Sequence, residues 1–146
     1  MKSITIQSAR IVGPLLIDIE WNTGETLQAH LAGGLKPPFD ALYDQAVFGQ
    51  MRVDDWGGHG LSWPEGLDIG ADTLYALCRE QAGLPTAHAF DDWMKHNGLS
   101  LATAADALGM TRRMIAHYRT GSRPIPKVVG LACKGWEAEK NHASHA

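Results

Sequence analysis

Between residues 86 and 136 the helical pattern of apolar residues stops and restarts, so that four short segments follow one another closely. Thr86, Ser100 and Thr111 carry hydroxyls of the kind that accept a hydrogen bond from the first unpaired N–H groups of a helix. Gly98, Gly109 and Gly121 supply the residue that most easily turns left-handed at a helix end. A chain punctuated in this way folds as a cluster of short helices around a shared core. Phe90, Trp93 and Met94 share one face of the first segment, with Asp91 and Asp92 placed in its first turn and Lys95 and His96 in its last, an order that suits the helix dipole. Leu101, Ala104, Ala105 and Leu108 repeat at i, i+3, i+4 and i+7 in the second. Only Gly109-Met110-Thr111 separates the second segment from the third, so these two helices must cross sharply, and Ala105 keeps the crossing down to a methyl group. Met110 and Ile115 are spaced as a hydrophobic staple around the Thr111 cap. Ser122-Arg123-Pro124-Ile125-Pro126 leads into a fourth segment with Val128, Val129, Leu131, Ala132 and Trp136. Pro126 suits its first position, where a missing N–H is no loss.

The third segment, residues 112–120, divides its faces. Ile115 and Tyr118 point inward with Met114 at the boundary, while Arg112, Arg113, Ala116, His117 and Thr120 occupy the other side. The exposed face thus begins with two guanidinium groups. A helix fits the DNA major groove, which is about 12 Å wide, and arginine there makes paired hydrogen bonds to guanine O6 and N7. A solvated face is the plain alternative for two adjacent arginines; the cap, staple, small residue and glycine stop around them favour groove contact. An imidazole is mostly uncharged at neutral pH, so His117 ranks below the arginines.

The charge distribution agrees with a division of labour. Residues 1–87 hold five Lys and Arg against eleven Asp and Glu, while residues 88–146 hold eight against five. Opposite signs in the two halves suggest that one half faces a polyanion. In the acidic half, residues 3–11 and 15–21 show apolar residues at spacing two, notably Leu15, Ile17, Ile19 and Trp21, the period of a half-buried strand. Asn22-Thr23-Gly24-Glu25 supplies a turn, residues 26–31 alternate again, and a hairpin follows. After Gly33-Gly34 and Pro37-Pro38, residues 39–47 read as a short helix, residues 48–53 and 61–63 as short strands, and residues 71–82 as a helix with Leu74, Leu77 and Cys78 on one face. Pro64 and Gly66 end a strand and turn the chain, Asp68 or Asp72 is placed to cap the next helix, and Trp63 reads as a buried aromatic anchoring the turn.

Several classes of function find no support. Cys78 and Cys133 are far apart within apolar helical patterns and read as buried thiols. No apolar run approaches the roughly 20 residues of a membrane span, and residues 1–6 alternate polar and apolar types, unlike a signal segment; a cytoplasmic address is expected. Gly57-Gly58-His59-Gly60 lacks the lysine and spacing of a phosphate loop and reads as a hairpin tip, with Asp54-Asp55 as a polar turn. His142 and His145 fall in a short polar tail expected to fray. No Ser-His-Asp, Cys-His or paired-carboxylate spacing is recognisable, so no catalysis, metal or cofactor is expected.

Two resemblances add to this reading. The pattern Trp63-Pro64-Glu65-Gly66-Leu67-Asp68-Ile69, followed by Asp72, Leu74 and Tyr75 and preceded by Phe39, Leu42, Phe48, Arg52 and Val53, resembles the domain-of-unknown-function family 2442 (DUF2442) over about residues 3–80. That family implies no chemistry; its members are small bacterial domains, some encoded near toxin-antitoxin-like genes and some fused to a helix-turn-helix. The run Leu99-Ser100 through Ala105, Leu108-Gly109-Met110-Thr111, Ile115, Tyr118, Gly121 and Ile125-Pro126 to Leu131-Ala132 resembles the Cro and lambda-repressor-like (XRE-type) helix-turn-helix family over about residues 90–136. The resemblance implies that the third segment lies in the major groove, with Arg112, Arg113 and His117 reading bases and Ser100, Thr111, Thr120, Ser122 and Arg123 contacting phosphates. Two positions depart from the family habit. Leu101 stands where glutamine is frequent, and Arg119 stands where an acidic residue often makes an internal ion pair.

The sequence therefore predicts an α+β chain: a small mixed strand and helix domain over residues 1–84, then an all-α, lambda-repressor-like helix-turn-helix domain with a C-terminal tail over residues 85–146. Its expected function is sequence-specific binding of double-stranded DNA as a transcriptional regulator, a repressor acting as a homodimer, because one such motif buries too little surface for useful specificity. The alternative is an antitoxin-type interaction module that binds a partner protein through residues 1–87.

Overall fold

The computed structural model of the chain describes residues 3–144. Among these, two three-stranded antiparallel sheets and six α-helices make a mixed α+β protein. The chain divides into two compact units, one running to Ala82 and the other beginning at Gly83.

In the first unit, β1 (Ile6–Gly13), β2 (Leu16–Trp21) and β3 (Thr26–His30) form a meander in that order. Ile17 lies between Ile11 and Ala29, and Ile19 between Ala9 and Leu27. The spacing-two pattern is realised: Leu15, Ile17, Ile19 and Trp21 are all buried. The second sheet has the order β4 (Arg52–Val53), β5 (Gly60–Trp63), β6 (Leu67–Gly70). Gly58 joins the sheets at close range. Its carbonyl accepts from Ile6 N at 2.7 Å, it sits at φ +79°, and a Cβ there would come within 1.9 Å of the Ile6 carbonyl oxygen, so no larger residue fits.

Three local expectations are corrected in this unit. Phe48 does not start a strand but ends the short helix α1 (Gln45–Phe48), because the Asp44 carboxylate accepts from Ala46 N at 2.9 Å and winds the chain there. A strand, β6, follows the Pro64–Gly66 turn at residues expected to lead directly into a helix. The helix α2 (Ala71–Gln81) then starts at Gly70 with no side-chain cap, so neither Asp68 nor Asp72 caps it; Asp72 lies in its first turn. Trp63 does anchor the turn. It is 5% exposed, stacks on Phe48, and donates through Nε1 to the Phe48 carbonyl at 3.1 Å.

Beneath α2 lies a polar group that the sequence did not announce. Glu25, from the β2–β3 turn, accepts from Tyr75 Oη at 2.5 Å and from Arg79 at 2.6 Å. Arg79 is 3% exposed. Burial, and next the hydrogen bond to Glu25, hold the Tyr75 hydroxyl protonated far above the ordinary phenol range. About 50 residues separate Glu25 from its partners, so no local pattern could reveal the contact. At the free side of β3, the Gln81 amide donates to the His30 carbonyl and accepts from His30 N, closing those two backbone groups as another strand would.

The second unit is wholly helical among the described residues: α3 (Ala87–His96), α4 (Leu101–Leu108), α5 (Arg112–Thr120) and α6 (Lys127–Ser144). Thr86, Ser100 and Thr111 cap α3, α4 and α5 through their side chains. Ser100 and Thr103 exchange hydrogen bonds as a capping box. Phe90, Trp93, Met94, Ala104, Ala105, Ile115, Tyr118, Ile125, Val129 and Cys133 form its core. Trp136 meets Trp93 edge to face, 5.6 Å between ring centres, and pins α6 to α3. Two placements differ from the sequence reading. Asp91 and Asp92 lie in the second turn of α3, beginning as it does at Ala87. His142 belongs to the last turn of α6 and not to a frayed tail, while His145 lies outside the described residues.

Candidate nucleic-acid interface

The site is built from α4, the three-residue turn after it, and α5. Gly109 ends α4 at φ +67°, a left-handed conformation, and Met110 N then donates to the Ala105 carbonyl at 3.0 Å, which satisfies an end-of-helix acceptor. Thr111 Oγ1 accepts from Met114 N at 3.2 Å and starts α5. Met110 and Ile115 belong to the same core, as the staple requires. On the inner side of α5, Ile115 is fully buried and Tyr118 is 5% exposed, with the Tyr118 ring edge-on to Phe90. Truncating a fully buried isoleucine to alanine costs about 2–5 kcal/mol, so the orientation of α5 about its own axis is strongly held.

That orientation leaves Arg112 and Arg113 exposed. Neither guanidinium is engaged by a hydrogen bond or ion pair among the described residues. Ser100, Thr111, Thr120 and Arg123 are exposed too, and Ser122 is half-buried. The hydroxyls of Ser100 and Thr111 are engaged as caps, and Thr120 Oγ1 donates to the Ala116 carbonyl at 3.0 Å.

His117 is placed differently from the arginines. It is half-buried, its Nδ1 faces Ser122 Oγ at 2.7 Å, and its Nε2 has no exposed surface and no partner. Neither ring nitrogen is presented outward, which sets it apart from Arg112 and Arg113. Ser122 folds back over α5 because Gly121 turns left-handed at φ +78° and Ser122 N reaches the His117 carbonyl. A base reader must keep its polar atoms for the groove; this imidazole has Nδ1 engaged with Ser122 at the helix end.

Arg119 also has a partner. Its Nε donates to Asp91 Oδ1 at 2.8 Å, and Lys95 Nζ reaches Asp91 Oδ2 at 2.8 Å. Lys95 first and Arg119 second hold the Asp91 carboxyl below its ordinary range. An ion pair therefore ties α5 to α3 with the acid supplied by α3. The sequence reading missed it because Asp91 was placed by its own helix dipole, without reference to α5.

Outside this region, a depression of about 510 Å³ lies between residues 49–52 and 62–64, and Arg52 is the one ionisable side chain on its wall. Among the described residues no helix is long and apolar enough to cross a membrane, and no group of three or more His, Cys, Asp or Glu is placed to hold a metal ion.

A solved structure, that of the Nitrosomonas europaea protein NE0471, matches with a TM-score of 0.75 and 36% sequence identity, over 93% of this chain and 88% of that one. The chain belongs to the NE0471 family. NE0471 is described as a candidate DNA-binding protein. No protein-family profile matches the chain, and no curated protein does. In this member of the NE0471 family, the similarity extends into both units.

Proposed function

We propose that this protein is a sequence-specific DNA-binding transcriptional regulator, a repressor working in the cytoplasm as a homodimer, with α4 and α5 as a lambda-repressor-like helix-turn-helix. The observation that carries the proposal is the pair Arg112 and Arg113, exposed and without protein partners, at the start of a helix whose other side is buried in a core. Arg112 and Arg113 read base edges in the major groove. Ser100, Thr111, Thr120 and Arg123 lie around them as phosphate contacts, with Ser122 turned inward toward His117. His117 acts as a positioning residue that holds the end of α5. The description of NE0471 as a candidate DNA-binding protein supports the same reading. Catalysis is not part of the proposed function.

Selection of bound duplexes from a random library at two salt concentrations tests it. An enriched motif with dyad symmetry and a steep loss of affinity with salt is expected; recovery of no motif at either salt would overturn sequence-specific regulation. A second reading, a protein-interaction module of the antitoxin type acting through the first unit, is favoured by Trp56. That indole is 86% exposed on a loop whose Asp54 carboxylate accepts from Trp56 N and Gly58 N at 3.0 Å each. Under that reading Trp56→Ala abolishes capture of the partner and leaves duplex binding unchanged.

A further inference from the structure

Helix α6 contains two glycines, and the chain itself accounts for one of them. Gly130 lies against Pro85, where an added Cβ would come within 2.6 Å of Pro85 Cγ. At Gly135 an added Cβ would meet nothing within 4 Å, although a glycine inside a helix costs about 1 kcal/mol relative to alanine. Gly135 sits in a row facing away from the core. Val128, Leu131, Gly135 and Ala138 are exposed and follow one another at spacings of three, four and three residues. Val128 is 68% exposed and Leu131 55%, whereas Val129 and Cys133 on the other side are buried.

Alternating spacings of three and four form the seam of a paired helix, and a β-branched residue at the first position with leucine at the fourth favours two parallel strands. The flanking charges agree. In a parallel pair, a residue just before the first seam position meets the residue five further along on the other helix. Lys134 of each copy therefore meets Glu139 of the other, and both are exposed here. An antiparallel pair would instead bring Lys127 of one copy toward Lys134 of the other.

The geometry points to α6 as the surface on which two copies of this chain associate, side by side and parallel, with Gly135 letting the two backbones approach. The inference rests on the homodimer proposed above and supplies the surface that proposal leaves unnamed. The seam from Val128 to Ala138 is about 15 Å long, at the small end of stable interfaces, so association follows mass action and is not permanent.

Sedimentation equilibrium of the full chain without DNA tests this. The wild-type chain moves between one and two chain masses as concentration rises, and Leu131→Glu weakens association by about tenfold or more, since each buried carboxylate lacks a partner. A wild-type chain that stays single up to about 1 mM, or a Leu131→Glu chain with unchanged association, would overturn the inference. Gly135→Met separates packing from helix strength. It raises the melting temperature because methionine is the better helix former, yet it lowers association because its side chain holds the helices apart; unchanged association would count against the seam. Lys134→Glu weakens association and Lys134→Glu with Glu139→Lys restores it; failure of the restoration would overturn the parallel register. Binding of a random-sequence duplex at low salt keeps the two proposals distinct. Arg112→Ala with Arg113→Ala loses the duplex and keeps association, so a chain that associates through α6 but binds no DNA sinks the regulator alone.

Discussion

Arg79 on α2 and Arg112 on α5 are the same side chain put to opposite uses. Arg79 is 3% exposed and committed to Glu25 at 2.6 Å, whereas Arg112 and its neighbour Arg113 are exposed and engage nothing in the chain. A guanidinium carries five donors in a rigid fork. Buried, those donors serve to hold the β2–β3 turn to α2; exposed on a helix locked by Ile115 and Tyr118, they remain for another molecule. The first unit thus turns charge inward for stability, and the second turns it outward while apolar contacts hold its fold.

The sharpest way to break this contrast is to remove the inward arginine. Arg79→Ala leaves the Glu25 carboxylate without its cation and should lower the stability of the first unit by about 3 kcal/mol, read as a lower denaturation midpoint. A midpoint unchanged in Arg79→Ala would mean that the buried pair holds nothing. Removing an outward arginine should do the reverse. Arg112→Ala or Arg113→Ala should each cost about 1–3 kcal/mol of duplex affinity and relax preference at one base pair, with thermal unfolding unaltered. Arg123→Ala should weaken all sequences alike and flatten the salt dependence, which competitive titrations at several salt concentrations would show.

Smaller effects sharpen the picture within the second unit. Thr111→Ala deletes the cap of α5 and should cost about 1 kcal/mol of stability, with Thr111→Ser restoring it in chemical denaturation. Asp91 gives the smallest expected effect. Its folded pKa lies below the ordinary aspartate value of about 3.9, so its contribution is fully present above that value and is lost as pH falls through the folded one. The stability difference between the wild-type chain and Asp91→Asn should therefore be constant at neutral pH and vanish in acid; a difference that persists at the lowest pH would show that Lys95 and Arg119 do not act through this charge. The two thiols provide a control on both units. Burial pushes Cys78 and Cys133 up to about 11, so neither should react with a thiol reagent at pH 8 until the chain is unfolded.

The helices of the second unit were legible because their signals are local. A hydroxyl cap, a left-handed glycine and a staple act within four residues, and α4, α5 and the exposure of Arg112 and Arg113 follow from them. The β1–β3 meander was legible for the same reason, since its spacing-two pattern is written along each strand. The short elements between residues 44 and 70 were less so, because a single Asp44 cap or the Pro64–Gly66 turn decides between helix and strand where neither pattern is long enough to insist.

Sequence alone determined where α4 and α5 begin and end, which side of α5 is apolar, and the opposite charges of the two halves, because these depend on local caps, periodicity and composition. Tertiary structure decided what those side chains meet. Glu25 finds Tyr75 and Arg79, Asp91 finds Arg119, and His117 is drawn back to Ser122, through contacts set by packing and not by spacing along the chain. The physical reason is reach. Caps and periodic faces are settled within a turn or two of backbone, whereas the partner of a charge is chosen by whichever distant element the core brings beside it.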